Sequence, residues 1–414
     1  MSTLDALLAD ERANRYRLAL LHFAFFFGIG AFVPYMTLYL AQILVRPDGT
    51  PANNLIGMMI FLNQGLGIFG APVAGIVADK YRIEHGIIAI CAIAAALGAT
   101  LLALPAFTAI DSLGVTVVLV AVGMMIIGFF SRPIPSLVDT QTLKHLDATR
   151  GDSSEYGRFR LLGSAGFVVA TVTIGVLLAL TNRLGLAVVA HAAVFVVIAT
   201  VSGQRMSSHV ERVKIPWKHL RQNVPFRRFL LFMFFVSSAI YSAFIFTGYF
   251  LDEVDAGFVV MGLAFGASAL PEVPIMYKAG AIARKFGLRG MIVIGCSAQV
   301  VKLVLFVLLA GSPATWAFIV VSTLHGSGYA LIHIGGVRFS DNYAHPDMRA
   351  TYQNLFSVVR AAGIAIGGPL SGLVLTIWNS TVLMGICAAM IAIGTVYFVL
   401  ALRGSGDAPA AEPA

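Results

Sequence analysis

The sequence predicts an all-α membrane protein of twelve transmembrane helices, arranged as two pseudo-symmetric halves of six. Three observations carry that reading. The 414 residues are 58% hydrophobic and only 12% charged, where a soluble domain carries about 25% charge. Apolar segments of spanning length recur along the chain. Lys and Arg fall almost entirely into alternate connections between those segments.

The expected spans are 18–44, 55–78, 86–105, 114–137, 159–180, 184–204, 226–251, 257–279, 290–310, 314–337, 352–376 and 381–402. Each is close to the roughly 20 residues a helix needs to cross the hydrocarbon. With the N-terminus placed inside, the inner segments hold 22 Lys and Arg residues and the outer loops only Arg46 and Arg183. Both termini are therefore expected to be cytoplasmic, and the setting a bacterial inner membrane, crossed many times. Met1 to Arg17 is polar and charged, unlike a cleavable signal. The 41 glycines fit helices that approach closely in lipid.

The organisation follows from the same census. The loop 205–225 carries seven basic or histidine residues and separates six spans from six. The expected units are an N-terminal half, 1–204, a cytoplasmic linker, 205–225, a C-terminal half, 226–403, and a disordered tail, 404–414. A net charge of +8 spread over short loops is topology, not a groove for nucleic acid. Cys91, Cys296 and Cys387 lie in apolar spans with neither a disulfide framework nor zinc spacing. No metal, no cofactor and no nucleic-acid partner is expected, and a monomer is.

Several residues stand where hydropathy does not excuse them. Glu272 sits in Leu270-Pro-Glu-Val-Pro-Ile-Met-Tyr-Lys278, inside an apolar run. An ionised acid there costs several kcal/mol unless paired. Pro271 and Pro274 each remove a backbone donor and loosen the helix around it. A costly acid on deformed backbone reads as a working site; the alternative is a buried structural ion pair. Four cations also fall within spans: Arg132, Lys278, Lys302 and Arg360. Lys278 reaches an interface by snorkelling. Lys302 and Arg360 do not, so each is expected to face a cavity or an acid. Arg132 precedes Pro133 and Pro135 and meets Asp139 only if that broken segment bends back. His325 and His333 share one helical face, whereas His22 and His191 read as structural.

Two loops point to a duplication. Gly75-Ile-Val-Ala-Asp79-Lys80-Tyr81-Arg82 follows span 2, and Gly280-Ala-Ile-Ala-Arg284-Lys285-Phe286-Gly287-Leu288-Arg289 follows span 8. Each has a small residue closing the helix and then charges at its end. The pair resembles the signature G-x-x-x-D-R/K-x-G-R/K of the major facilitator superfamily, with departures at Tyr81 and Arg284. That resemblance covers all twelve spans and implies gating roles for Gly75, Asp79, Lys80, Arg82, Gly280, Arg284 and Lys285.

Two shorter stretches are similar to the phenylpropionate and nucleoside proton symporters, relatives of lactose permease. They are Tyr156-Gly-Arg-Phe-Arg160-Leu-Leu-Gly-Ser-Ala-Gly166-Phe167 and His345-Pro-Asp-Met-Arg349-Ala-Thr-Tyr-Gln353. Arg158 and Arg160 serve equally well as snorkelling anchors. Relatives of lactose permease couple transport through a helix-8 acid, cations on helix 9 or 11 and a histidine on helix 10. Glu272, Lys302, Arg360 and His325 match that pattern by helix, and the resemblance implies proton coupling by Glu272, His325 and His333. Asn63, Gln64 and Tyr35 are candidates to supply hydrogen bonds to substrate from the N-terminal half, with packing the alternative for Tyr35.

The function class follows from charge. Glu272 faces Lys302, Arg360 and Arg132, an excess of cations that favours an anionic substrate. The expectation is proton-coupled uptake of a small organic anion by alternating access, an aromatic carboxylate among the candidates. Symport of a siderophore, sugar, nucleoside or glycopeptide is the first alternative. A drug or metabolite antiporter is the second, although the G-x-x-x-G-P-x-x-G-G stretch of exporters is missing from span 5 and echoed only at Gly363-Ile-Ala-Ile-Gly367-Gly368-Pro369. The alternative of another class is an intramembrane enzyme or a sensor; a sensor would need a sizeable extramembrane domain, and an enzyme an acid pair, H-E-x-x-H or a Ser–His site. None is present in the sequence, so an enzyme is not expected.

Overall fold

The computed structural model describes residues 3–81, 84–110, 112–149, 154–202, 223–344 and 348–403. Most of the expected linker 205–225, the tail 404–414 and Arg82 lie outside that set. Every named element among the described residues is helical.

Proline and glycine explain where the passes break. The first pass begins as α1 (Thr3–Phe32). Pro34 lacks an amide hydrogen, so the chain tightens into a 3-10 turn at Val33–Tyr35 and restarts as α2 (Met36–Ile43). α3 (Asn53–Tyr81) and α4 (Glu84–Phe107) form the second and third passes. In the fourth, α5 (Leu113–Ser131) stops before Arg132, and Pro133 opens α6 (Pro133–Ala148), where its missing N–H has no helical partner to lose. α7 (Ser154–Thr181) and α8 (Gly185–Val201) complete the first six.

The second six begin with α9 (Val224–Ile245), whose first turn is capped by the Asn223 side chain accepting from Phe226 N at 3.1 Å. After Phe246 the pass continues as α10 (Thr247–Glu253). α11 (Gly257–Ala269) ends before Pro271, and α12 (Glu272–Leu309) starts afresh. Within α12 the backbone reverses at Gly287, whose φ of 70° favours glycine. Ala279 and Met291 would stand about 18 Å apart on a straight helix, yet they share one cluster with Leu331. α12 therefore ends the eighth pass and supplies the ninth. α13 (Ala317–Asn342), α14 (Arg349–Ile377) and α15 (Ser380–Ala401) are the last three.

Ten stretches are long and apolar enough to cross a bilayer. One of them is the 53-residue run Gly257–Leu309 that Gly287 divides, and the 17-residue α8 is a further apolar helix. The twelve expected passes are thus present among the described residues.

The chain divides into two compact units, residues 1–51 with 65–210 and residues 52–64 with 211–414. In the first, α1 packs on α7 and α8, and α4 on α5 and α8. In the second, α9 packs on α14 and α15, and α12 on α13 and α15. The same passes pair in each unit, six places on. Glycines explain the repetition. A Cβ on Gly166 of α7 would lie 2.3 Å from the Phe23 carbonyl oxygen, and one on Gly363 of α14 the same distance from that of Phe234. Only a hydrogen fits, so these helix backbones touch. Packing of the second unit centres on Phe229, Phe232, Phe339 and Phe398, with Phe229–Phe339 ring centroids 4.4 Å apart and Phe232–Phe398 4.5 Å apart.

Candidate functional site

The break in the eighth pass sets the position of the acid. Pro271 is the residue just before α12 and Pro274 lies in its first turn, where backbone N–H groups have no helical acceptor anyway. Glu272 is consequently the first residue of a new helix, where a carboxylate is favoured by the helix dipole. Its side chain lies against α13. A Cβ on Gly326 would come within 3.1 Å of Glu272 Cγ and 1.9 Å of the Ser268 carbonyl oxygen. The glycine lets the broken helix press onto α13, with the Glu272 side chain against Gly326.

α13 carries a column of rings at four-residue spacing. His325 stacks on Phe244 of α9 with centroids 4.7 Å apart, and on Tyr329 at 6.1 Å. Tyr329 stacks on His333 at 5.8 Å with an interplanar angle of 2°. The two imidazoles are held in opposite hydrogen-bonding states. Gln299 donates through Nε2 to the His325 carbonyl oxygen at 2.8 Å, leaving its Oε1 to accept from His325 Nδ1 at 3.2 Å. At His333 the neighbour is the Arg360 guanidinium, Nη1 to Nδ1 at 3.0 Å. Arginine has only donors, so His333 Nδ1 is the acceptor.

Arg360 of α14 is framed by aromatic faces, 5.9 Å from the Tyr329 ring centroid and 5.4 Å from that of Phe356. Its Nε is enclosed and has no hydrogen-bond acceptor among the described residues. Lys302 is 2% exposed and points its ammonium at the Phe306 ring, 4.7 Å from the centroid. Cys387 of α15 and His325 are its electrostatic neighbours. The second unit thus gathers one acid, two histidines of opposite polarity, a buried ammonium and a guanidinium with an unused N–H. That set can accept a proton and hold an anion.

The remaining candidates are placed differently. Gln64 is buried and donates through Nε2 to Tyr241 Oη at 2.6 Å and to Asn63 Oδ1 at 3.0 Å. Tyr35 is fully buried in the first unit, its hydroxyl donating to the Thr171 carbonyl oxygen at 2.8 Å. Arg132 also belongs to the first unit and lies across Gly67 of α3, where a Cβ would meet its Cγ at 2.9 Å. Gly75 has open space around it, and Gly280 faces only the end of Arg284. Arg284 and Lys285 are exposed. The side chains of Asp79 and Lys80 lie outside the described part, as does Arg82. A cavity lined by Gln42, Thr116, Asn182 and Arg183 in the first unit contains none of the candidates.

Sequence reasoning missed Tyr329, Phe244, Phe356, Gln299 and Tyr241. The first carried a signal: His325, Tyr329 and His333 repeat at four residues and had to share a face. Phe356 carried one too, four residues before Arg360 on α14; Phe244, Gln299 and Tyr241 carried none, because each meets its partner from another helix.

The family model described as "MFS_1 like family" matches residues 15–384. Maltose permease of Geobacillus stearothermophilus is 24% identical over 392 residues, 92% of this chain and 90% of the relative. The uncharacterized transporter YwbF of Bacillus subtilis (strain 168) is 24% identical over 344 residues, covering 81% and 79%. Among solved structures, the nucleoside transporter NupG superposes with a TM-score of 0.79 at 18% identity, covering 94% of this chain and 99% of that one. A bacterial homologue of the iron transporter ferroportin in an inward-facing state gives 0.70 at 15% identity, covering 97% and 99%.

Proposed function

The chain belongs to the MFS_1 like family, and we propose that it is a proton-coupled importer of a small organic anion, with an aromatic carboxylate the preferred class. It is a multi-pass membrane transporter; the coupling ion and the substrate class are the proposal. The observation that carries it is Arg360, a guanidinium with an enclosed, unused Nε–H between the rings of Tyr329 and Phe356. A carboxylate offers the acceptor that this donor lacks, and an aromatic ring suits the two flanking rings.

Coupling rests on exclusion at one lone pair. While Arg360 donates to His333 Nδ1, no proton can sit there. A carboxylate drawing Arg360 onto itself leaves that nitrogen open, so anion and proton load together. Glu272 takes a second role as a further proton-carrying acid, whose neutralisation removes a negative charge from the unit that holds Lys302 and Arg360. Access to these residues then alternates between the two sides of the membrane. Gly75, Asp79, Lys80, Arg82, Gly280, Arg284 and Lys285 are proposed to gate it, and Arg132, Asn63, Gln64 and Tyr35 to complete recognition. The protein works as a monomer in this reading.

A second reading is symport of a sugar or nucleoside. It is favoured by the names of the maltose permease and NupG, and by the Asn63–Gln64–Tyr241 hydrogen bonds, which suit hydroxyl groups. A thermal-shift panel on purified protein separates the two. Stabilisation by benzoate and phenylpropionate, but not by maltose or uridine, is expected; stabilisation by the neutral compounds alone would reject the anion.

A further inference from the structure

A polar cluster where α1, α6 and α7 meet has no part in that mechanism. His22 of α1 is 2% exposed. Its Nε2 lies 3.0 Å from Thr142 Oγ1 and 3.9 Å from Asp139 Oδ1, both on α6. The Thr142 hydroxyl already donates to the Val138 carbonyl oxygen at 2.8 Å. Thr142 must therefore accept from His22, whose ring carries its hydrogen on Nε2. Tyr156 of α7 hydrogen-bonds Asp139 and packs edge-on against the imidazole at 6.5 Å, and Phe159 lies 6.1 Å away.

Asp139 connects this buried ring to an opening. Its side chain is 34% exposed, yet Oδ1, the oxygen facing His22, is enclosed and has no hydrogen-bond partner among the described residues. A carboxylate oxygen enclosed without a donor is costly as an anion, and a proton on it removes that cost. Pro133 is what makes this possible, because it starts α6 as a separate helix that carries Asp139 and Thr142 against α1. Among the described residues, these titratable groups surround the cluster. Arg160 of α7, over the Phe26 ring at 4.3 Å, acts on both His22 and Asp139. His145 of α6 stands among Glu11, Arg15 and Arg17 of α1 and Glu155 of α7. On α8, His191 is bonded to the Gly28 carbonyl oxygen at 2.7 Å.

We propose that Asp139 and His22 form a second proton-binding site, in the first unit and separate from Glu272. A hydronium at the exposed side of Asp139 gives up its proton to the carboxylate and leaves as water. The new O–H bond sits at Oδ1 beside His22. The neutral acid no longer attracts Arg160, so the contact between α6 and α7 becomes sensitive to the proton.

The test needs no substrate and so stands apart from the transport reading. Acid-induced infrared difference spectra of the purified full chain in lipid are expected to show a protonated-carboxyl C=O band. That band is lost in Asp139→Asn, retained in Glu272→Gln, and has its pH midpoint displaced in His22→Gln. Asp139→Glu, which keeps a carboxyl, is expected to move the band in frequency and covers the case in which the Asn variant does not fold. A band unaltered in Asp139→Asn or Asp139→Glu, or a midpoint unmoved by His22→Gln, would overturn the proposal.

Discussion

Arg360 Nη1 donates to His333 Nδ1 at 3.0 Å, and a proton on that nitrogen is incompatible with the bond. This one contact places the proposed anion-holding group and a proton acceptor in competition across α13 and α14.

The geometry of Arg360 predicts that charge alone does not replace it. Arg360→Lys keeps the positive charge but loses the planar fork and the Nε donor. Benzoate affinity, read by calorimetry, is expected to fall about tenfold, a change of about 1.4 kcal/mol, and Arg360→Ala to abolish binding. Wild-type affinity in the Lys variant would show that the fork is not used.

Glu272 at the start of α12 predicts a separation of coupling from binding. Glu272→Gln keeps the shape and most hydrogen bonds but cannot release a proton. Uphill accumulation of benzoate in proteoliposomes is expected to disappear, with benzoate exchange retained. Loss of both would assign the acid a structural role.

Gly326 and Gly75 predict opposite outcomes from one substitution. A Cβ on Gly326 would sit 1.9 Å from the Ser268 carbonyl oxygen, whereas Gly75 has nothing within 4 Å. Gly326→Ala is expected to lose about 1–3 kcal/mol by overpacking, seen as a lower thermal unfolding midpoint. Gly75→Ala is expected to leave the midpoint unchanged or higher.

Lys302 predicts a variant that folds and does not transport. Its ammonium faces Phe306 with no paired acid among the described residues, so a methionine of similar length removes a desolvated charge. Lys302→Met is expected to match or exceed wild-type thermal stability while benzoate uptake falls at least tenfold. Unchanged uptake would remove Lys302 from the mechanism.

The passes and the breaks at Pro133 and Pro271 were legible because hydropathy and these prolines act locally, whereas the break at Pro34 falls inside the single expected span 18–44. The cost assigned to Glu272 was less legible. The sequence places it in an apolar run, but the break at Pro271 gives it a helix N-terminus that offsets part of that cost. The ring column on α13 was written in the spacing of His325, Tyr329 and His333. Its partners were not: Gln299, Phe244 and Arg360 reach it from three other helices, and no spacing along one helix encodes a contact across two. Asp139 was weighed only against Arg132, its neighbour in sequence, while the fold sets it beside His22, 117 positions away.

Uptake of radiolabelled benzoate into proteoliposomes, with and without an inwardly directed proton gradient, tests proton-coupled anion import most directly. Accumulation above equilibrium that collapses when the gradient is dissipated and is absent in Arg360→Ala is the predicted result. Benzoate entry at the rate of protein-free liposomes, with maltose or uridine accumulating instead, would contradict it.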